Sequence, residues 1–156
     1  MTDVVNLLNL TRAQLSDFAT ALGEKAFHGL QIYKWIYQQG VADFNQMSNL
    51  SLKLREKLNH LAQIKPPKLA TEQVSLDGTI KWMLKLEDNN SIETVFIPEK
   101  NRGTLCISSQ VGCTLTCRFC STAKQGFSRN LTTGEIIGQL WFAIDRLYQL
   151  YPELKN

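Results

Sequence analysis

Three cysteines in one short loop are the residues of this chain best suited to chemistry: Cys113-Thr-Leu-Thr-Cys117-Arg-Phe-Cys120. Thiolates bind soft metals and iron–sulfur clusters. Zinc ribbons usually present two separate Cys-x-x-Cys knuckles that together give four ligands. Here the three thiols lie on one continuous loop, and no second pair follows. Three thiolates can hold three corners of a 4Fe–4S cube, leaving the fourth iron open to a ligand that is not protein. A cluster that binds and reduces a substrate needs that open corner. The fourth cysteine, Cys106, lies just upstream, and a structural four-thiol site that recruits it is the competing reading of the same residues. A disulfide framework would spread its cysteines to staple distant loops, whereas these all fall between positions 106 and 120. His28 and His60 sit on helical segments far from the loop and read as packed or solvated side chains.

Composition sets the frame for that loop. The chain has 156 residues, 44% hydrophobic and 20% charged, which is ordinary for a globular protein. Its 17 basic and 14 acidic residues leave a net charge of +3, too small to indicate nucleic acid without a local basic patch. No run of 18 apolar residues is present, and the N-terminus has no basic region ahead of its apolar stretch. The expectation is a cytoplasmic protein with no membrane segment, in a reducing compartment where clustered cysteines serve as ligands or catalytic groups.

The elements that must position the loop follow from capping and periodicity. Thr11 can cap a helix whose stripe is Leu15, Phe18, Ala19 and Leu22, ended by Gly23. Residues 26–39 carry two apolar stripes, Leu30/Tyr33/Tyr37 and Ile32/Trp35/Ile36, as the central helix of a small bundle would. Ser51 can cap a third helix bearing Leu54, Leu58 and Leu61. Lys65-Pro66-Pro67-Lys68 breaks the helical pattern. Beyond it the period changes to two: residues 69–75 and 79–86 flank the turn signal Asp77-Gly78, and Ser91–Ile97 forms a third strand ended by Pro98. Thr104–Ser109 predicts another strand. Thr132 and Glu135 have capping-box spacing and open a helix with Ile137, Leu140, Trp141, Ile144, Leu147 and Tyr148 on one face. The cysteine loop thus falls between a strand and a helix, as in the first step of a parallel α/β fold, where sites lie at the C-terminal ends of strands.

The fold class expected is α/β (α+β overall). A helical accessory domain spans residues 1–66, a short antiparallel meander 67–98, and the first βα unit of an incomplete (β/α) barrel 99–156. A complete barrel of that type needs about 200 residues or more, so the chain reads as an N-terminal fragment, inactive by itself.

The spacing Cys-x3-Cys-x2-Cys with Phe119 before the last cysteine resembles the signature of the radical S-adenosylmethionine (SAM) superfamily. The resemblance sharpens over residues 91–141, SIETVFIPEKNRGTLCISSQVGCTLTCRFCSTAKQGFSRNLTTGEIIGQLW, which are similar to RlmN-type RNA methyltransferases; AFHGLQIYKWIYQQG resembles their accessory domain. That family implies a 4Fe–4S cluster and SAM as cofactors. It also implies methylation of carbon 2 of an adenosine in 23S rRNA and in tRNA beside the anticodon, an electron donor such as flavodoxin, and a monomer. The related Cfr enzymes act at carbon 8 instead.

Carried over position by position, the resemblance makes Cys113, Cys117 and Cys120 the cluster ligands. Cys106 becomes the cysteine that resolves a protein–RNA adduct through a transient disulfide, and Glu93 the proton acceptor. The family's methyl-accepting cysteine, near its C-terminus, has no match here. Alternation places Cys106 with Ser108 on one face of its strand, and Glu93 with Val95 and Ile97, where an apolar surround would desolvate the carboxylate and raise its proton affinity. A small buried cysteine and an exposed edge glutamate are the plainer readings of those two residues. Arg102, Arg118, Lys124 and Arg129 could meet RNA phosphates or the SAM carboxylate. Tyr33, Trp35 and Tyr37 could stack on bases or fill a core. Lys53, Arg55, Lys57, Lys65 and Lys68 outline an RNA-docking surface.

Overall fold

The computed structural model describes residues 4–100, 102–114 and 126–155. The chain divides into two compact units, Met1–Lys65 and Pro66–Asn156.

In the first unit, a 3-10 turn (Leu7–Asn9) precedes α1 (Arg12–Ala21), and another (Phe44–Gln46) lies between α2 (Phe27–Tyr37) and α3 (Leu52–Leu61). Thr11 and Gln14 close a reciprocal capping box at the start of α1, and the Ser51 side chain caps α3 by accepting from the Leu54 amide. Leu15, Ala19, Ile32, Ile36, Leu54 and Leu58 are all fully buried between the helices, with Leu7, Leu8, Met47 and Leu50. The ends of the unit are tied by a short parallel pair that sequence periodicity is too brief to reveal. β1 (Val5–Asn6) lies beside β2 (Ala62–Gln63). Asn6 extends the pairing with its side chain: Nδ2 donates to the Lys65 carbonyl at 2.9 Å, and Oδ1 accepts from the Lys65 amide at 3.3 Å.

In the second unit, β3 (Lys68–Val74), β4 (Ile80–Lys85) and β5 (Ser91–Pro98) form the expected meander. The turn at Asp77-Gly78 is closed by Ser75 donating to Thr79 and Gly78 donating to Ser75. β4 alternates strictly between buried and exposed residues, so one face of the sheet carries Ile80, Trp82 and Leu84 and the other Lys81, Met83 and Lys85. A long helix, α4 (Thr133–Leu150), opens with the Thr132/Glu135 capping box and packs on the apolar face. Ile80, Trp82, Leu84, Ile92 and Ala143 share one core with Phe96, Leu105, Phe142 and Leu147. Trp82 meets Phe142 edge-on with ring centres 5.6 Å apart. At the sheet's edge Glu72 takes two hydrogen bonds from Arg146 and one from the Trp82 indole.

β6 (Gly103–Cys106) pairs antiparallel with β5, as the fourth strand and one edge of the meander sheet. The tight turn after Pro98, closed by Glu99 donating to Arg102, brings the chain straight back into it. One expectation changes here: strand pairing ends at Cys106 rather than Ser109. Ile107 is exposed and Ser108 partly buried, so the alternation read through Ser108 stops two residues early. The buried residues of α4 are Gly134, Gly138, Gln139 and Ala143, with Leu147 packed against the core, while Leu140, Ile144 and Tyr148 of its apolar stripe are 44%, 43% and 36% exposed. Small residues let the helix lie close to the chain at Pro66–Pro67, against which a Cβ at Gly138 would collide. No helix of the described residues is long and apolar enough to cross a membrane.

Candidate functional site: a thiol–carboxylate face beside a cysteine-loop neck

The sheet face turned away from α4 carries Cys106 and Glu93 together. In the antiparallel register Cys106 lies opposite Val95, and Glu93 is two residues from Val95 on the same strand and face. Thiol and carboxylate are therefore diagonal cross-strand neighbours, a relation that puts Cα atoms about 7–8 Å apart. Cys106 is an exposed thiol. Glu93 is also exposed, its side chain at 49%, and pairs with Lys81 across the strand at 3.1 Å. This corrects the expectation of a desolvated carboxylate: although Met83 lies opposite Glu93 and Val95 shares its face, the side chain is half open to solvent and ion-paired.

Past Cys106 the chain leaves the sheet and enters a two-stranded ribbon, β7 (Gln110–Gly112) with β8 (Phe127–Asn130). The cysteine loop springs from the end of this ribbon. Gly112 and Gly126 face each other at its neck with φ of +73° and +74°, and the Cys113 amide donates to the Gly126 carbonyl at 3.2 Å. Left-handed backbone at both positions suits glycine alone without strain. Cys113, partly buried, is thus the first residue beyond a fixed neck. Cys117 and Cys120 lie outside the described residues, as do Phe119, Arg118 and Lys124. The donor set fits an iron–sulfur cube: a thiol at the mouth of a closed neck, with two further cysteines on the same loop.

The ribbon is braced by a cation that sequence reading had offered to phosphates. Arg129 donates to both carboxylate oxygens of Glu135 at 2.8 Å each and to Asp88 at 2.7 Å. It locks β8 to the start of α4 and to the β4–β5 turn, so its charge is already matched. The Arg129 guanidinium holds the Asp88 carboxyl at about 2 and Glu135 below its ordinary value. Both carboxyls are depressed in the fold, so their contribution to stability is present above their ordinary values of 3.8 and 4.5 and is lost as pH falls through the folded values. The Arg129→Met variant should therefore show a flatter loss of stability than the parent between pH 4.5 and about 2, by denaturant titration at stepped pH. Equal slopes would show that the brace contributes nothing.

Among the other charged candidates, Arg102 pairs with Glu99. Arg55 donates to the Leu50 and Asn45 carbonyls, and Lys57 to Glu24 and the Leu22 carbonyl. Lys53 and Lys68 are exposed. Tyr33 and Tyr37 pack against each other with ring centres 4.8 Å apart, and Trp35 donates to Asn49 at 2.6 Å. His28 bonds to Gln31, and His60 is exposed. Among the described residues no group of three or more His, Cys, Asp or Glu side chains is placed to hold a metal ion.

Sequence reading missed Gln139. Its side chain is fully buried in the apolar interface between sheet and α4. A polar residue inside a helix otherwise read by its apolar stripe gives no periodic signal. Its spacing of four from Glu135, along one helix face, was the only available hint.

Residues 5–64 match the family model of the ribosomal RNA large subunit methyltransferase N-terminal domain. The fold is similar to the crystal structure of a radical SAM methyltransferase from Sphaerobacter thermophilus, with a TM-score of 0.84 and 35% identity over 94% of this chain and 43% of that one. The chain thus spans less than half the length of that solved relative.

Proposed function

We propose, from the match of residues 5–64 to the ribosomal RNA large subunit methyltransferase N-terminal domain and the 35% identity to a radical SAM methyltransferase, that the chain is the N-terminal part of an RlmN-family protein, and that the complete protein is a radical SAM RNA methyltransferase acting on carbon 2 of adenosine in 23S rRNA and in tRNA next to the anticodon. One observation carries the reading: Cys106 and Glu93 share an exposed sheet face, on the strand pair that runs on through residues 107–109 into the neck of the cysteine loop. Cys113, Cys117 and Cys120 would hold the 4Fe–4S cluster. Bound there with SAM, the cluster supplies one-electron chemistry that the side chains lack.

The chain's own residues do the rest. The neck at Gly112 and Gly126 sets where the three thiolates begin. Glu93 takes the proton from the adenine carbon, and Lys81 beside it holds the carboxylate in place. Cys106, exposed and on the same face, supplies the thiol that releases the modified RNA through a transient disulfide with the family's methyl-bearing cysteine. An exposed, solvated face suits a substrate as large as folded RNA, which must itself displace the water.

The Cys106→Ala variant of the complete protein separates this reading from a structural four-thiol metal site. Anaerobic reconstitution should load the variant with as much iron as the parent, and SAM should still shift the reduced cluster's spectrum. Methylated RNA should fall below about one-hundredth of the parent's, because the adduct cannot be released. Loss of the metal on removing Cys106 would instead identify it as a ligand and sink the proposal. Methyl found at carbon 8 in digested RNA would move the specificity to the Cfr type.

A further inference from the structure

Building on the roles given above to Cys106 and Glu93, we propose that Gln139 is the positioning residue that holds this thiol and carboxylate in register from behind the sheet. β6 ends at Cys106, and the Ser109 carbonyl already accepts from the Leu131 amide at 2.9 Å, so Ile107 and Ser108 form the gap between the sheet and the ribbon. Side chains take over. Gln139 Oε1 accepts from the Ser108 amide at 2.8 Å, and Nε2 donates to the Ser108 carbonyl at 2.8 Å. The amide thereby grips one residue's main chain at both ends, as a neighbouring strand would. Ser108 in turn donates its hydroxyl to the Glu93 carbonyl at 2.7 Å. One side chain thus ties the residue two positions beyond Cys106 to the residue that carries the carboxylate.

The remaining valences of the amide are also spent. Oε1 accepts from the buried Thr94 hydroxyl at 2.9 Å, and Nε2 donates to the Glu135 carbonyl at 3.3 Å. Two acceptor sites and two N–H groups are matched by four partners, which fixes the orientation of the amide. Thr94 lies next to Glu93 on β5, so the same group holds both strands of the pair. Burying a primary amide among Phe142, Ala143 and Leu105 costs folding free energy that an apolar residue would not. An apolar residue, however, cannot hold Ser108.

Three variants of the complete protein test this: Gln139→Met, Gln139→Glu and, as a packing control in the same core, Phe142→Leu. The principal readout needs no cofactor. The metal-free protein is alkylated with iodoacetamide, and the rates at Cys106 and Cys113 are compared by peptide mass spectrometry. General loosening raises both rates together; displacement of the 106–109 segment changes their ratio. Gln139→Met should shift the ratio by about threefold or more, and Phe142→Leu should leave it unchanged.

Gln139→Glu adds a signature that a packing role lacks. As a carboxylate it cannot donate to the Ser108 carbonyl, but as a neutral acid it can. Its ratio, taken against the parent at each pH, should return toward the parent's as pH falls from about 8 to 6, since burial raises a carboxyl's pKa. The charged groups nearest to it, Glu135 on α4 and Arg129 on β8, are paired with each other, and the Glu93 side chain points to the opposite face. In the loaded enzyme Gln139→Met should keep its iron while methyl transfer drops about 10- to 100-fold, the cost of a misplacement near 1 Å. A ratio unmoved in both Gln139 variants, or moved equally by Phe142→Leu, overturns the inference. Absence of a cluster and of methylated RNA in the parent would count against the proposed function, while the alkylation ratio would still decide the role of Gln139.

Discussion

Gly112→Ala in the complete protein is expected to reduce iron content by about tenfold or more, while the rest of the fold stays intact. A Cβ built at Gly112 would stand 1.7 Å from the Gly126 carbonyl oxygen and 2.8 Å from its carbon. Both are main-chain atoms of the opposing strand, so no side chain can swing aside. The φ of +73° adds a second cost, about 1–2 kcal/mol for any residue with a Cβ. Relief requires the neck to open, which breaks the bond from the Cys113 amide to the Gly126 carbonyl and moves Cys113 away from the origin of the loop. Cluster assembly needs three thiolates within a few ångströms of one another and has little tolerance for that movement.

Gly126→Ala supplies the comparison. Gly126 has the same left-handed backbone, φ +74°, but among the described residues nothing lies within 4 Å of its Cβ position. It should bear the conformational cost alone and keep most of its iron. Iron and sulfide analysis after anaerobic reconstitution reads both variants, and the melting temperature of the metal-free form checks folding. Full iron in Gly112→Ala would show that the neck does not control the loop.

Much of this architecture can be read from local chemistry. The Thr11 and Ser51 caps, the capping box at Thr132/Glu135 and the turn at Asp77-Gly78 are each written in a few adjacent residues, and each is found where the pattern puts it. The features that sequence left unread depend on partners distant in the chain. The residues of β6 say nothing about which strand it joins; Val95, 11 positions earlier, decides the antiparallel edge. The buried side of α4 carries no apolar period, because the close approach to Pro66 and Pro67 needs Gly138, and the main chain at Ser108 is met by an amide at Gln139. Glu93 was placed by alternation on the right face, but whether that face is wet depends on what covers it. Lys81 and Cys106 are its neighbours there, and both are exposed. Pairing and covering are long-range properties, and period-two or period-3.6 patterns carry neither.

The first unit's stability should turn on Gly29. This residue lies within α2, where alanine would ordinarily stabilise a helix by about 1 kcal/mol. The local effect is overruled by packing. A Cβ at Gly29 would lie 2.4 Å from both the Leu15 carbonyl oxygen and the Ser16 nitrogen of α1. The helices touch backbone to backbone at this crossing, so the clash cannot be relieved by a rotamer change. Either α2 slides along α1 or the two separate, and both motions disturb fully buried Leu15, Ala19, Ile32 and Ile36. Overpacking of a tight core costs about 1–3 kcal/mol, more where main chain must move. Gly29→Ala should therefore lower the first unit's melting temperature by about 10 °C or more, since 1 kcal/mol corresponds to about 4–8 °C in a domain of this size. Lys34→Ala, an exposed site on the same helix, should change it by no more than a degree or two upward. The two variants differ in what the new methyl group meets, not in helix propensity. A stabilised Gly29→Ala would mean that α1 and α2 do not cross at this distance.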